Sequence, residues 1–86
     1  MEIEYTDSFL KKYKKLDKNV KHKFEKKEKV LIKEIFHASL RTHKLSGKLA
    51  NCYSFSIDFH FRVIFRFSED RKTAYFLDIG THEIYE

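Results

Sequence analysis

Two arginines on one predicted strand are the first residues in this sequence that point to chemistry. Residues 61–67 read Phe-Arg-Val-Ile-Phe-Arg-Phe, so the aromatic residues face one way while Arg62, Ile64 and Arg66 face the other. β-Branched and aromatic residues favour strands, and alternate strand residues lie roughly 7 Å apart. Because a guanidinium can hold two phosphate oxygens at once, this face could bind phosphate.

The two arginines also have a plainer interpretation. Arg62 and Arg66 could be the charged face of an edge strand, where charge prevents aggregation. Ile64 lies between them, however, and an apolar residue there indicates a partly covered face and therefore a groove.

Three histidines lie near the ends of predicted elements, where they could act beside the arginines. His43 is in a long loop, His60 precedes the arginine-containing strand, and His82 follows the last strand. Imidazole titrates near neutrality, so each could accept or donate a proton, although a lone loop histidine is often merely solvated. No pair has metal-ligand spacing and Cys52 is the only cysteine, so we expect no metal site and no cofactor.

The composition indicates one small domain with a basic half. The chain has 86 residues, so we expect a single domain spanning 1–86, with nine Phe and five Tyr available for its core. Residues 1–50 carry fourteen Lys and Arg against seven Asp and Glu, whereas residues 51–86 carry four against six. A basic half indicates a polyanionic or acidic partner, although a solvated lysine-rich helix would give the same composition.

The sequence also predicts a compartment. It has one cysteine, no basic and apolar leader at its start, and no apolar run near the roughly 18–20 residues of a membrane span. We therefore expect a cytoplasmic protein with no membrane partner.

The elements that must position these residues follow from periodicity. Apolar residues recur at helical spacing over 8–16 and 18–37, and they alternate over 2–5, 51–58, 61–67 and 73–79. Polar residues 68–72 predict a hairpin turn, and Gly47 in the loop 39–48 indicates a backbone position with positive φ. The predicted fold is α+β in the order β-α-α-β-β-β, with a helical hairpin packed on one face of a small antiparallel sheet.

This order and four groups of residues resemble the RelE/ParE superfamily of bacterial toxins from type II toxin–antitoxin pairs, over essentially the whole chain. The groups are the basic helical hairpin, His43-Lys44-Leu45-Ser46-Gly47-Lys48-Leu49, Phe61-Arg62-Val63-Ile64-Phe65, and Asp78-Ile79-Gly80-Thr81-His82-Glu83-Ile84-Tyr85. The H-x-L-x-G loop and the G-T-H ending are most similar to the YafQ-like branch. The resemblance implies a RelE-like fold and a ribosome-dependent mRNA endonuclease, or mRNA interferase, that cuts in the A site. It also implies partners: a cognate antitoxin that neutralises the toxin, the 70S ribosome and mRNA, with DNA bound only through the antitoxin complex.

The resemblance carries His43, His82 and the phosphate-binding Arg62 onto this sequence directly. Metal-free RNA cleavage needs a base for the 2′-OH proton, cationic donors for the phosphorane, and an acid for the leaving 5′-oxygen. We therefore expect His82 to be the general acid and Arg62 the phosphate clamp. The general base is His43 or His60; the latter stands where the YafQ-like branch has an acidic residue.

Four further residues complete the predicted site. Tyr85 matches a family aromatic near the terminus that orients or stacks on the substrate. Lys44 and Lys48 are expected to hold flanking phosphates, with Arg66 as a weaker RNA-binding candidate.

Asp78 departs from the YafQ-like pattern, which often has a second arginine at this position. A carboxylate beside the scissile phosphate would oppose its charge, so we expect Asp78 to pair with Arg62 or to orient His82. Two alternative functions remain: a ParE-like DNA gyrase inhibitor without nuclease activity, and a purely regulatory partner that acts as a DNA-binding complex with its antitoxin. The combination of Arg62, His82 and Tyr85 favours the nuclease, because a gyrase inhibitor needs no acid–base pair.

Overall fold

A five-stranded sheet with two helices on one face makes up the fold. The computed structural model describes residues 1–85. The elements are β1 Glu2–Tyr5, α1 Asp7–Lys14, α2 Lys18–Lys33, β2 His43–Lys44, β3 Tyr53–Ser56, β4 Arg62–Phe67 and β5 Thr73–Gly80. The strand order is β1-β5-β4-β3-β2, and β3, β4 and β5 form the predicted antiparallel meander. The predicted α+β class is therefore confirmed, and the predicted strands differ from the observed ones mainly at their ends.

The sheet is mixed, which corrects the expectation that it is antiparallel throughout. β1 pairs in parallel with β5, with Glu2 opposite Thr73 and Tyr5 opposite Phe76. A strand that pairs in parallel needs a long connection to its neighbour. Here α1 and α2 follow β1 in the sequence and form part of that connection. The predicted loop 39–48 also contains the short strand β2, which pairs with the edge of β3 and so covers part of it.

Short-range capping sets where the helices begin. The Thr6 hydroxyl accepts a hydrogen bond from the Phe9 N–H, and the Asp17 carboxylate accepts one from the Val20 N–H. α2 ends at Lys33 rather than at the predicted residue 37, because the backbone of Glu34 is extended. The chain then turns back through the 3₁₀ turn Ala38–Leu40, which buries its last residue completely in the core.

The aromatic face of β4 lies in the core, as its alternation predicted. Val63 and Phe65 are fully buried under the helices, and Phe76 of β5 contacts the rings of Phe9 and Phe24. We call this the core face of the sheet and the opposite side the outer face. A bulge in the β4–β5 pairing lies beside Ile64 and Phe65, and it interrupts the alternation of β5.

Within residues 1–85, no helix combines the length and the apolarity needed to cross a bilayer. Glu86, the last residue of the predicted tail, lies outside the described residues.

Candidate functional site

A groove at one end of the sheet brings together His60, Arg62 and His82. Arg62 is the first residue of β4 and pairs with Gly80, the last residue of β5. Since these strands are antiparallel, the residues before Arg62 and after Gly80 leave the sheet at the same end. The groove there has a volume of about 550 Å³ and is lined by Phe59, His60, Arg62, Thr81, His82 and Glu83.

The turn before β4 is held by the carboxylate of Asp58. Its Oδ1 accepts hydrogen bonds from the backbone N–H groups of His60 and Phe61, both at 2.8 Å, and its Oδ2 lies 3.2 Å from Lys23 Nζ. Partial burial acts to raise the pKa of Asp58, but these hydrogen bonds and the lysine charge outweigh it and hold the pKa below its ordinary value. An ionised Asp58 therefore fixes the backbone that carries His60.

The guanidinium of Arg62 is anchored along one edge. Its Nη1 donates to the carbonyl oxygen of Asp58 at 2.7 Å and to that of Phe61 at 3.1 Å. The Nε and Nη2 atoms make no hydrogen bond to any residue in 1–85. A planar donor pair is thus free to bind two oxygens of a phosphate, in an orientation that the turn has already set.

His82 begins the 3₁₀ turn His82–Tyr85, which is fixed at both ends. A Cβ placed on Gly80 would lie 2.7 Å from Ile84 Cγ2, so the turn can pack this closely only against glycine. At the other end, the Tyr85 hydroxyl hydrogen-bonds the Oγ of Ser54, a fully buried residue of β3. Tyr85 therefore attaches the turn to the sheet and does not line the groove.

His43 lies outside the groove. It pairs with Ser54 in the β2–β3 ladder, which puts it two strands from β4, roughly 10 Å across the sheet. Its Nδ1 lies 3.0 Å from the carbonyl oxygen of Arg41, to which a protonated Nδ1 donates a hydrogen bond. The structure thus brings His60, and not His43, to Arg62 and His82.

The predicted RNA-binding residues are spread over the rest of the surface. Lys44 lines a separate pocket with Tyr53, Phe67 and Arg71, and Lys48 is exposed in the 3₁₀ turn 47–49. The Arg66 guanidinium lies 4.7 Å from the centre of the Tyr75 ring, on which it stacks. None of the three predicted contacts lines the groove itself.

Asp78 contacts neither Arg62 nor His82, so that expectation was wrong. Its Oδ1 lies 2.7 Å from Lys12 Nζ of α1 and accepts a hydrogen bond from the Ile79 N–H. The bulge in the β4–β5 pairing interrupts the alternation of β5 beside this residue, and the carboxylate reaches the helix instead. Its charge is therefore balanced away from the groove.

Sequence reasoning missed two residues of the site. Asp58 could have been found from its position just before a strand, because an aspartate there often accepts the N–H groups of the following turn. Phe59 is 83% exposed beside His60, and an aromatic residue inside a polar turn is the signal that was available for it. Nowhere in residues 1–85, the groove included, do three His, Cys, Asp or Glu side chains converge closely enough to hold a metal ion.

Comparison with known proteins identifies the family of this chain. A family model described as "Bacterial toxin of type II toxin-antitoxin system, YafQ" matches residues 1–85. No curated protein matches the chain by sequence.

Solved structures of toxins share its fold. A YoeB/ParE toxin from Agrobacterium tumefaciens is similar with a TM-score of 0.80 and 19% identity, over 95% of this chain and 99% of its own. YafQ from E. coli strain BL21(DE3) has a TM-score of 0.79 and 20% identity, over 98% of this chain and 96% of its own. A chain of the E. coli DinJ–YafQ complex has a TM-score of 0.69 and 21% identity, over 96% and 94%. Because the family match spans nearly all residues, this chain belongs to the YafQ family of bacterial type II toxin–antitoxin toxins.

Proposed function

We propose that this toxin is a metal-independent endoribonuclease that cleaves mRNA in the ribosomal A site. The observation that carries the proposal is a single groove lined by two imidazoles, those of His60 and His82, and by the anchored guanidinium of Arg62. A proton acceptor, a phosphate clamp and a proton donor are the groups that in-line attack by a 2′-OH requires.

The reaction assigns one role to each residue. His60 takes the proton from the 2′-OH, and the 2′-oxygen attacks phosphorus. The free Nε and Nη2 of Arg62 hold the non-bridging oxygens as negative charge grows on them. The bond from phosphorus to the 5′-oxygen breaks, and His82 donates the proton to that oxygen. The products are a 2′,3′-cyclic phosphate, or the 3′-phosphate formed from it by hydrolysis, and a 5′-OH.

His60 is the better general base because it lines the groove, whereas His43 is two strands away. His43, Lys44 and Lys48 lie on one segment of the chain, and there they contact the mRNA or the ribosome outside the cleavage site. Arg66 contributes charge to the same outer surface.

The partners follow from charge and from relatives. The net charge of +5, concentrated in residues 1–50, favours binding to ribosomal RNA and to an acidic partner. Solved relatives include the E. coli DinJ–YafQ complex and a RelE–RelB complex from Pyrococcus horikoshii. By analogy, a cognate antitoxin neutralises this toxin in the cytoplasm, and DNA is bound only through that complex.

Toxicity of matched variants tests the proposal against a gyrase inhibitor. Expression of the wild-type chain should stop growth, and His82→Ala or Arg62→Ala should abolish that effect while the proteins remain folded. Full toxicity of both variants, together with inhibition of DNA supercoiling by the purified chain, would replace the nuclease with the ParE-like alternative.

A further inference from the structure

A second pocket adjoins the groove and has no part in the reaction described above. Phe59 and Arg62 line both cavities. The second pocket has a volume of about 210 Å³, and its other lining residues are Lys27, Ser39, Arg41, Ser56, Ile57 and Asp58. Two extra cations from distant parts of the chain, Lys27 of α2 and Arg41 before β2, therefore meet beside the phosphate clamp.

The acidic residue in this pocket does not cancel that charge. Both oxygens of Asp58 are occupied, one by the two backbone N–H groups of the turn and the other by Lys23. Arg41 makes no ion pair and no side-chain hydrogen bond to residues 1–85, and Lys27 Nζ contacts only the carbonyl oxygen of Ser39, at 3.2 Å. The pocket therefore presents a net positive charge to an anion.

The backbone holds Arg41 in an unusual conformation. Its φ is 51° and its ψ is 39°, the left-handed region that residues with a Cβ adopt rarely. The backbone N–H of Arg41 closes the 3₁₀ turn Ala38–Leu40, and its carbonyl accepts the hydrogen bond from His43. Strained positions of this kind cluster at ligand sites, which agrees with the placement of this guanidinium in the pocket.

Phe59 stands between the two cavities as an exposed ring. It is the most exposed large apolar side chain of the described residues, at 83%, and its ring meets that of His60 edge to face with centroids 5.4 Å apart. Folding therefore gains little from this side chain. An aromatic ring on a rigid turn beside phosphate-binding arginines is a typical stacking platform for a base in single-stranded nucleic acid.

We propose that the second pocket binds the phosphate next to the scissile one, and that Phe59 stacks on the base between those two phosphates. The ligand is single-stranded RNA, so the inference rests on the proposed function. Arg62 holds the scissile phosphate, Arg41 and Lys27 bind the second phosphate, and the ring holds the nucleotide in register for the groove.

Tryptophan fluorescence provides a direct test, because the chain contains no tryptophan. Phe59→Trp places a single indole on the platform. The probe is a 2′-O-methyl trinucleotide, which has two phosphates and lacks the attacking hydroxyl. The matched control is Phe36→Trp, since Phe36 is also exposed, at 61%, but packs against Tyr53 and lines neither cavity.

The trinucleotide should quench the Phe59→Trp protein to saturation and leave the Phe36→Trp protein unchanged. Adding Arg41→Ala should raise the Kd for the trinucleotide about tenfold, yet leave the Kd for a dinucleoside monophosphate, which has one phosphate, unchanged. In the same way, Phe59→Ala should weaken trinucleotide binding about tenfold or more in a competition assay.

Absence of quenching at millimolar RNA, equal quenching in the control protein, or an equal effect of Arg41→Ala on both ligands would overturn the inference. So would quenching produced by an antitoxin and not by RNA, which would assign the ring to a protein interface. These outcomes are separable from the nuclease proposal. Binding is measured without cleavage, so a subsite can exist without a nuclease, and full cleavage by Phe59→Ala without quenching would refute the subsite alone.

Discussion

At the scale of single residues, the site depends on one carboxylate that takes no part in the chemistry. Asp58 binds the backbone of the turn that presents His60, and the carbonyl oxygen of the same residue binds the Nη1 of Arg62. The proposed base and the proposed phosphate clamp are thus positioned by one short segment. Such preorganisation matters because a catalytic group must be held in place before charge develops on the substrate.

The first prediction separates the two candidate bases. His60→Gln should slow single-turnover cleavage of ribosome-bound mRNA by about 10²- to 10⁴-fold, the usual contribution of a general base. His43→Gln should slow it by less than about tenfold, because His43 lies roughly 10 Å across the sheet from β4. The opposite ranking would assign the proton transfer to His43 and would require β2 to move toward the groove.

The second prediction concerns the stability of the protein at low pH. Because the folded-state pKa of Asp58 is lowered, the unfolded chain takes up this proton at a higher pH than the folded chain does. The resulting stability is complete above roughly pH 5 and is lost as the pH falls below about 4 and through the folded pKa. Asp58→Asn should therefore lower the free energy of unfolding by about 1–2 kcal/mol at pH 7, and by less at pH 3.

Urea unfolding at the two pH values measures this difference. The control is Glu69→Gln, which removes the same charge from an exposed position with no hydrogen-bond partner in residues 1–85. Wild type and Asp58→Asn should differ in their free energy of unfolding. If this difference is the same at both pH values, the ionised carboxylate does not hold the turn.

At the scale of elements, the site forms because β4 begins where β5 ends. The pairing of Arg62 with Gly80 brings two segments that are distant in sequence to one end of the sheet. The 3₁₀ turn that carries His82 then packs across Gly80 and is attached to β3 through Tyr85 and Ser54. Both ends of this turn must fit for His82 to line the same groove as Arg62.

The third prediction tests that packing. Gly80→Ala would place a methyl group 2.7 Å from Ile84 Cγ2, so the turn must shift and cleavage should fall about tenfold or more. Gly47→Ala is the comparison, because Gly47 has a φ of 65° but open space around it. That variant should cost about 1 kcal/mol of stability and leave cleavage largely intact. Equal loss of activity in both variants would mean that the fit at Gly80 has no special role.

The same elements show what sequence alone could predict. The alternation of β4 and the positive φ of Gly47 are local features, and both were found in the structure. The parallel pairing of β1 and the contact of Asp78 with Lys12 depend on residues far apart in sequence. The spacing of apolar residues does not predict such contacts. The bulge in the β4–β5 pairing lies beside Asp78, whose carboxylate contacts Lys12 instead of Arg62 or His82.

The candidate site divides in the same way. His60, Arg62 and His82 were predicted from residue type and from the ends of strands, and one groove contains all three. The distance of His43 from that groove follows from the addition of β2 at the far edge of the sheet, which the loop sequence did not indicate. Nothing in the sequence relates Phe59 to Arg41, and only the folded structure shows that both line one pocket.

At the scale of the whole molecule, the core and the candidate site occupy different parts of the fold. On the core face, the ring of Phe76 contacts those of Phe9 in α1 and Phe24 in α2, and these contacts hold the sheet to both helices. The candidate catalytic residues lie at one end of the sheet, and the lysines of α1 and most of those of α2 are exposed to solvent. A domain this small can therefore present a rigid groove and a broad basic surface to a large polyanion such as the ribosome.

The most direct test of this account is cleavage of a defined mRNA by the purified chain, with and without programmed 70S ribosomes, followed by analysis of the product ends. We predict cuts in the A-site codon only when ribosomes are present, with 2′,3′-cyclic phosphate or 3′-phosphate ends and 5′-OH ends, and their loss in His82→Ala. Intact mRNA under both conditions, or products with 5′-phosphate ends, would contradict acid–base cleavage by His60, Arg62 and His82.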